Sequence, residues 1–104
     1  MSDTPAVGVE RTHSALQRGE AVVVDVREPW EWNQQHIPGA LLIPLADLPQ
    51  RLDEIPIDRD VLVHCRSGAR SARAVDFLRE SGRSRAFNVS GGIEAWVAAG
   101  LPVE

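Results

Sequence analysis

The chain has 104 residues, 43% of them hydrophobic and 25% charged, with a formal net charge of −4. That length holds one domain, and the composition is that of a globular protein rather than a disordered one. The acidic balance gives no ground for a nucleic-acid or anionic-membrane partner, and no apolar run approaches the ~20 residues that span a bilayer.

The opening stretch MSDTPAVGVE has neither a basic n-region nor an apolar h-region, so it does not read as a signal peptide. Residues 1 to 6 read as an N-terminal tail and residues 7 to 104 as the domain. Glu10 to Arg18 is expected to form a short helix, stopped by Gly19. Ala21 to Val26 is an apolar, β-branched run without polar alternation, as in a strand buried on both faces. Glu28 to Gln35 reads as a helix with Pro29 in its first turn. Ile37-Pro38-Gly39 signals a turn, and Ala40 to Ile43 a second short strand. Asp47 to Leu52 reads as a short helix, weakened by Pro49.

Val61 to His64 is a third strand. Ser71 to Glu80 is a helix whose Ala74, Phe77 and Leu78 follow the i, i+3, i+4 pattern, with Gly82 ending it. Ala86 to Val89 is a fourth strand, and Ile93 to Ala99 a last helix before Gly100 and Pro102. Strands alternating with helices predict an α/β fold: one domain, a central parallel sheet, helices on both faces.

The sequence holds one cysteine, so no internal disulfide forms and a reducing cytoplasm is the expected location. Cys65 follows the third strand and opens the stretch Cys65-Arg66-Ser67-Gly68-Ala69-Arg70-Ser71, which leads into a helix. In open α/β sheets, ligands bind beyond the carboxyl ends of the strands. A helix start there exposes unpaired N–H groups that favour an anion. Gly68 lets the backbone curl, and Arg66, Arg70 and Arg73 add positive charge. The site is expected to hold an anion, the thiolate of Cys65 itself being one candidate.

A free thiol near pKa 8.5 is only about 3% ionised at pH 7. Making it mostly thiolate takes about 2.7 kcal/mol, whereas an exposed helix dipole supplies roughly 0.3–1 kcal/mol. Amide hydrogen bonds and the arginines are expected to supply the rest. The alternative for Cys65 is a small buried hydrophobe. Ser67, Gly68 and Ser71 also suit ordinary N-cap chemistry, which uses the same amides. His64 precedes Cys65 in a strand, so the two side chains point to opposite faces, and His64 reads as structural. His13 and His36 are isolated, no zinc-ligand spacing exists, and neither a metal nor a cofactor is expected.

Three patches resemble a known family. They are Asp25-Val26-Arg27-Glu28-Pro29-Trp30-Glu31-Trp32 with Gln35-His36-Ile37-Pro38-Gly39-Ala40; the loop Cys65 to Ser71; and Val89-Ser90-Gly91-Gly92-Ile93-Glu94-Ala95-Trp96 with Gly100-Leu101-Pro102. In this order and spacing they resemble a single-domain rhodanese, a sulfurtransferase module, from about Val7 to Val103. Trp32 departs from the family's usual tyrosine or phenylalanine, which bears on packing only.

The resemblance implies a thiosulfate sulfurtransferase. Cys65 would be the nucleophile that takes the outer sulfur of thiosulfate, or of a persulfide donor, as a cysteine persulfide. Cyanide, a thiol or a protein sulfur acceptor would then remove it, with ping-pong kinetics. The amides of Arg66, Ser67, Gly68, Ala69, Arg70 and Ser71 would cradle the persulfide. Arg66 and Arg70 would hold the sulfonate of a dianionic donor. Asp25 and Arg27 would organise the loop by ion pairing, the alternative being a surface salt bridge. Gly91 and Gly92 read as a structural turn, and Trp30 and Trp96 as core or pocket rim.

Two rivals stand beside this reading. Rhodanese modules also serve as sulfur relays to a dedicated partner. Cysteine-dependent phosphatases and arsenate reductases of related fold place five residues between cysteine and arginine; here four separate Cys65 from Arg70. The shorter ring suits a sulfur atom better than a tetrahedral phosphate.

Overall fold

A computed structural model describes residues 4–104. The elements in chain order are β1 (Ala6–Val7), α1 (Val9–Gln17), β2 (Ala21–Asp25), α2 (Pro29–Gln34), β3 (Leu41–Leu42), a 3-10 segment (Leu45–Glu54), β4 (Asp60–His64), α3 (Ala69–Glu80), β5 (Ala86–Val89) and α4 (Gly92–Ala98). The five strands form one all-parallel sheet in the order β1-β5-β4-β2-β3. This is the α/β architecture that the alternation of elements predicts.

The valine-rich run of β2 is unbroken because both faces of the sheet are covered. Val24, Val26, Val61, Val63 and Cys65 pack with Leu48 and Ile55 of the 3-10 region and with Ala74, Val75 and Leu78 of α3. The alternate residues Ala21, Val23 and Leu62 face the other way, against Val9, Ala15 and Leu16 of α1. Ile37, Ile93 and Trp96 close a third cluster between α1 and α4. Each fully buried Val, Leu or Ile side chain contributes roughly 1.5–3 kcal/mol, so β2 and β4 anchor the domain.

Successive connections run to opposite sides of β2: β3 lies on one flank and β4 on the other. Between the carboxyl ends of β2 and β4 lies the switch point at which such sheets bind ligands. Asp25 and His64 stand in register there, with Arg27 and Cys65 just beyond.

Some expectations are corrected. Ala6, assigned to the tail, lies in β1 and pairs with Asn88 in parallel. Two residues show no periodicity, so β1 exists only through that pairing; residues 1 to 3 of the tail lie outside the described residues. The second strand is trimmed to Leu41–Leu42. The segment around Pro49 is 3-10 rather than α, broken at Arg51 (φ −114°, ψ 19°). Among the described residues, no helix is long and apolar enough to cross a membrane.

Candidate active site

β4 ends at His64, and the chain turns through Cys65 to Gly68 into α3. Gly68 makes the turn with φ +121°, a conformation closed to other residues at ordinary cost. The turn brings the Gly68 N–H within 3.1 Å of Cys65 Sγ, and the Ser71 hydroxyl within 3.3 Å. Cys65 is only 2% exposed and is a free thiol.

Burial pushes the Cys65 thiol up. The Ser71 hydroxyl and the amides of Ser71, Gly68 and Ser67 act against it, and the thiol ends below its ordinary value. Direct hydrogen bonds to sulfur therefore do the work that a helix dipole alone is too weak to do.

The arginines are placed differently from the sulfur-facing ring that the sequence suggests. Arg70 donates two hydrogen bonds to Glu31, at 2.6 and 2.9 Å. Arg66 is 70% exposed and donates to Glu94 at 3.0 Å. Arg73 is exposed on α3. Ala69 is the exposed first residue of α3 and supplies backbone only. The Arg70 guanidinium, against a smaller effect of burial, holds the Glu31 carboxyl down to about 2. Glu31 also accepts from the Glu28 N–H at 2.9 Å, closing a capping box at the start of α2.

Asp25 and Arg27 are buried rather than superficial, at 0% and 4% exposure. Arg27 reaches Asp25 through Nη2–Oδ2 at 2.8 Å and Nε–Oδ1 at 3.0 Å, and its Nη2 also donates to the Gln35 carbonyl at 2.9 Å. His64 lies between this pair and the loop, hydrogen-bonded to the loop alone. Its Nδ1–H donates to the Cys65 carbonyl at 3.2 Å, while Nε2 faces Asp25 Oδ2 at 3.6 Å without a hydrogen-bond partner. Burial pushes the His64 pKa down, so the ring is neutral and that contact is not an ion pair. Val61, Val63 and Cys65 share a cluster on one face, Leu62 packs on the other, and the alternation sets His64 away from Cys65.

The second glycine of Gly91-Gly92 does more than turn the chain. A Cβ on Gly92 would stand 2.5 Å from the Cys65 carbonyl oxygen and 2.6 Å from that of Arg66. The close approach lets Ile93 N–H donate to the Cys65 carbonyl at 2.9 Å and Glu94 N–H to the Arg66 carbonyl at 3.1 Å. The start of α4 thus holds the outer side of the loop.

A cleft of about 590 Å³ opens beside the loop, lined among others by Trp30, Glu31, Arg66, Ile93, Glu94 and Val97. Trp30 is 63% exposed at this rim, whereas Trp96 is fully buried with its Nε1–H donating to the Pro102 carbonyl at 2.7 Å. Trp32 stacks on His36 with ring centroids 3.8 Å apart, and His13 meets Trp96 edge-on at 5.4 Å.

Residues 9–99 match the Rhodanese-like domain family. The chain belongs to the rhodanese-like family. A curated relative named "Sulfurtransferase", from Allochromatium vinosum, is 48% identical over 84 residues, covering 81% of this chain and 78% of that protein. Other curated relatives are longer, and the chain spans between 19% and 61% of them. Among solved structures, a rhodanese-related protein from Thermoplasma volcanium superposes with a TM-score of 0.88 at 31% identity, over 96% of this chain and 97% of that one. The human single-domain sulfurtransferase TSTD1 superposes with a TM-score of 0.85 at 27% identity, over 90% and 96%. The protein is thus a rhodanese-family sulfurtransferase with a single buried cysteine.

Sequence reasoning assigned no role to Glu31, Glu94 or Asn88. Glu31 carried a signal, because it stands three residues after Glu28 at the start of a proline-led helix. Asn88 was visible as the one polar residue in the strand Ala86-Phe87-Asn88-Val89. Nothing local marked Glu94.

Proposed function

We propose that the protein moves sulfane sulfur from thiosulfate, or from a persulfide donor, to cyanide or a thiol through a persulfide on Cys65. The observation that carries this reading is the Gly68 N–H aimed at Cys65 Sγ at the start of α3. In the first half-reaction the thiolate attacks the outer sulfur of thiosulfate. The Sγ–S bond forms, the S–S bond of the donor breaks, and sulfite leaves with the electron pair. In the second, cyanide attacks the outer sulfur, Cys65 Sγ leaves as thiolate, and thiocyanate departs.

The amides from Arg66 to Ser71 cradle the outer sulfur once it is bound. Arg66 and Arg70 receive the sulfonate, each by exchanging a carboxylate for it, Glu94 and Glu31 respectively. Asp25 and Arg27 organise the neighbouring end of β2 by their buried ion pair, against which His64 and the loop pack. Intact-mass measurement after incubation with thiosulfate tests the reading. One added sulfur atom, removed by cyanide and lost in Cys65→Ser, is expected; turnover retained in Cys65→Ser overturns it.

A sulfur relay to a dedicated protein is the second reading. Exposed Trp30 and Val97 on the cleft beside the loop favour it, since exposed apolar groups at a reaction mouth suit a docking partner. A relay turns over slowly with thiosulfate and cyanide and quickly with its partner.

A further inference from the structure

The Ser71 hydroxyl has one proton and three acceptors in reach: Asn88 Oδ1 at 2.6 Å, Gly68 O at 3.2 Å and Cys65 Sγ at 3.3 Å. The shortest contact is to Asn88, not to the sulfur. The Asn88 amide cannot turn over to remove the competition. Its Nδ2 donates to the Gly68 carbonyl at 3.2 Å, and the opposite orientation would set two oxygens against each other. Oδ1 therefore faces Ser71 and only accepts. The backbone of Asn88 is fixed in turn, its N–H donating to Pro5 O at 2.8 Å within the β1–β5 pairing.

We propose that Asn88 is a positioning residue that competes with Cys65 for the Ser71 proton. In the thiol form Ser71 donates to Asn88, and the Cys65 S–H donates to the Ser71 oxygen. When the thiol ionises, the hydroxyl turns about its C–O bond and donates to the thiolate, leaving Asn88 Oδ1. No covalent bond of the serine breaks at any stage. The competition keeps Cys65 from becoming too weak a base. Nucleophilicity falls as thiol pKa falls, so a thiolate stabilised without limit would attack donors slowly.

This refines the sulfur-transfer reading of the same loop but requires only its thiolate. The charged groups around the loop are Arg70 with Glu31, Arg66 with Glu94, and the Asp25–Arg27 pair with neutral His64. None is altered in the test. The Gly68 carbonyl keeps the Ala72 N–H at 3.0 Å when Asn88 is replaced, so it is not orphaned.

The experiment is the pH midpoint of Cys65 alkylation by iodoacetamide, with folding checked by thermal melting. Asn88→Ala frees the hydroxyl, and the midpoint is expected to fall by about half a pH unit or more, the worth of part of one hydrogen bond. Asn88→Val, with a residue suited to a strand, repeats the measurement. Ser71→Ala raises the midpoint, and in that background Asn88→Ala adds no shift. If Asn88 merely propped the loop, its loss would raise the midpoint with or without Ser71. A midpoint that rises, stays put, or shifts equally in the Ser71→Ala background overturns the proposal. In the parent protein, the carbon-13 resonance of the Asn88 carboxamide is expected to titrate at the Cys65 midpoint, and a flat response overturns it even where no variant folds. Because alkylation needs no sulfur donor, failure here leaves the sulfur-transfer reading standing, and failure of thiosulfate loading leaves this proposal standing.

Discussion

Arg70 and Glu31 form a two-point clamp, at 2.6 and 2.9 Å, between the loop that carries Cys65 and the start of α2. The two residues are 39 positions apart. Glu31 serves both ends at once, since the same Oε1 that meets Arg70 accepts from the Glu28 N–H.

Glu31→Gln keeps the cap on α2 and removes the charge from the clamp. The folded carboxyl titrates at about 2 against 4.5 for the ordinary group, so the charged form stabilises the fold above about 4.5 and loses that effect as pH falls toward 2. The variant is expected to lose on the order of 1–3 kcal/mol at pH 7, a range reduced for the solvent around partly exposed Arg70. The difference from the parent should shrink steadily below pH 4.5. Urea denaturation across that pH range checks it, and a constant difference would show that the charge is not responsible.

Gly92→Ala places a methyl group against two backbone carbonyl oxygens of the active loop, at 2.5 and 2.6 Å, where neither can give way cheaply. It also forces φ +58° on a residue with a side chain. Gly82→Ala is the matched control, with φ +94° and nothing within 4 Å. The control is expected to cost about 1–2 kcal/mol, the price of a left-handed residue. Gly92→Ala should cost several times more or leave the chain unfolded, and any folded fraction should lose at least ~90% of sulfur transfer. Equal melting temperatures for the two variants would refute a contact role for Gly92.

The cause of thiol activation separates by substitution. Against burial, hydrogen bonds to sulfur lead the lowering of the Cys65 pKa, with a coulombic pull from Arg70 beside them and none from Arg66. Ser71→Ala should therefore raise the alkylation midpoint by about half a unit or more. Arg66→Ala should move it little, because Arg66 is exposed and already paired with Glu94. A larger shift from Arg66 than from Ser71 would return the activation to the charges.

Asp25→Ala strands Arg27, which is 4% exposed and keeps only carbonyl contacts once its carboxylate is gone. Breaking a buried ion pair on one side costs about 3–5 kcal/mol, so the variant should be severely destabilised or insoluble. A loss under 1 kcal/mol by chemical denaturation would mean that water reaches the site and that the pair is superficial after all.

Much of this protein follows from local pattern. The unbroken apolar runs of β2 and β4 demanded a sheet covered on both faces, and the i, i+3, i+4 spacing of α3 placed its buried side. Cys65 lies at the end of one run and just before the helix, so its meeting with the Gly68 amide and Ser71 needed only a tight turn within the seven residues from Cys65 to Ser71. That part was legible because strand burial, helix period and turn chemistry act between near neighbours in the chain. The two-residue β1, seen only through its pairing with β5, had no period to betray it. The carboxylates that occupy Arg66 and Arg70 come from α4 and α2. The amide that competes for Ser71 comes from β5, and the glycine that lets α4 touch the loop comes from its own first turn. Only the packing of these elements around the ends of β2 and β4 brought them together. Charge and hydrogen-bond partners across elements depend on distances of a few tenths of an ångström, which no residue pattern along the chain encodes.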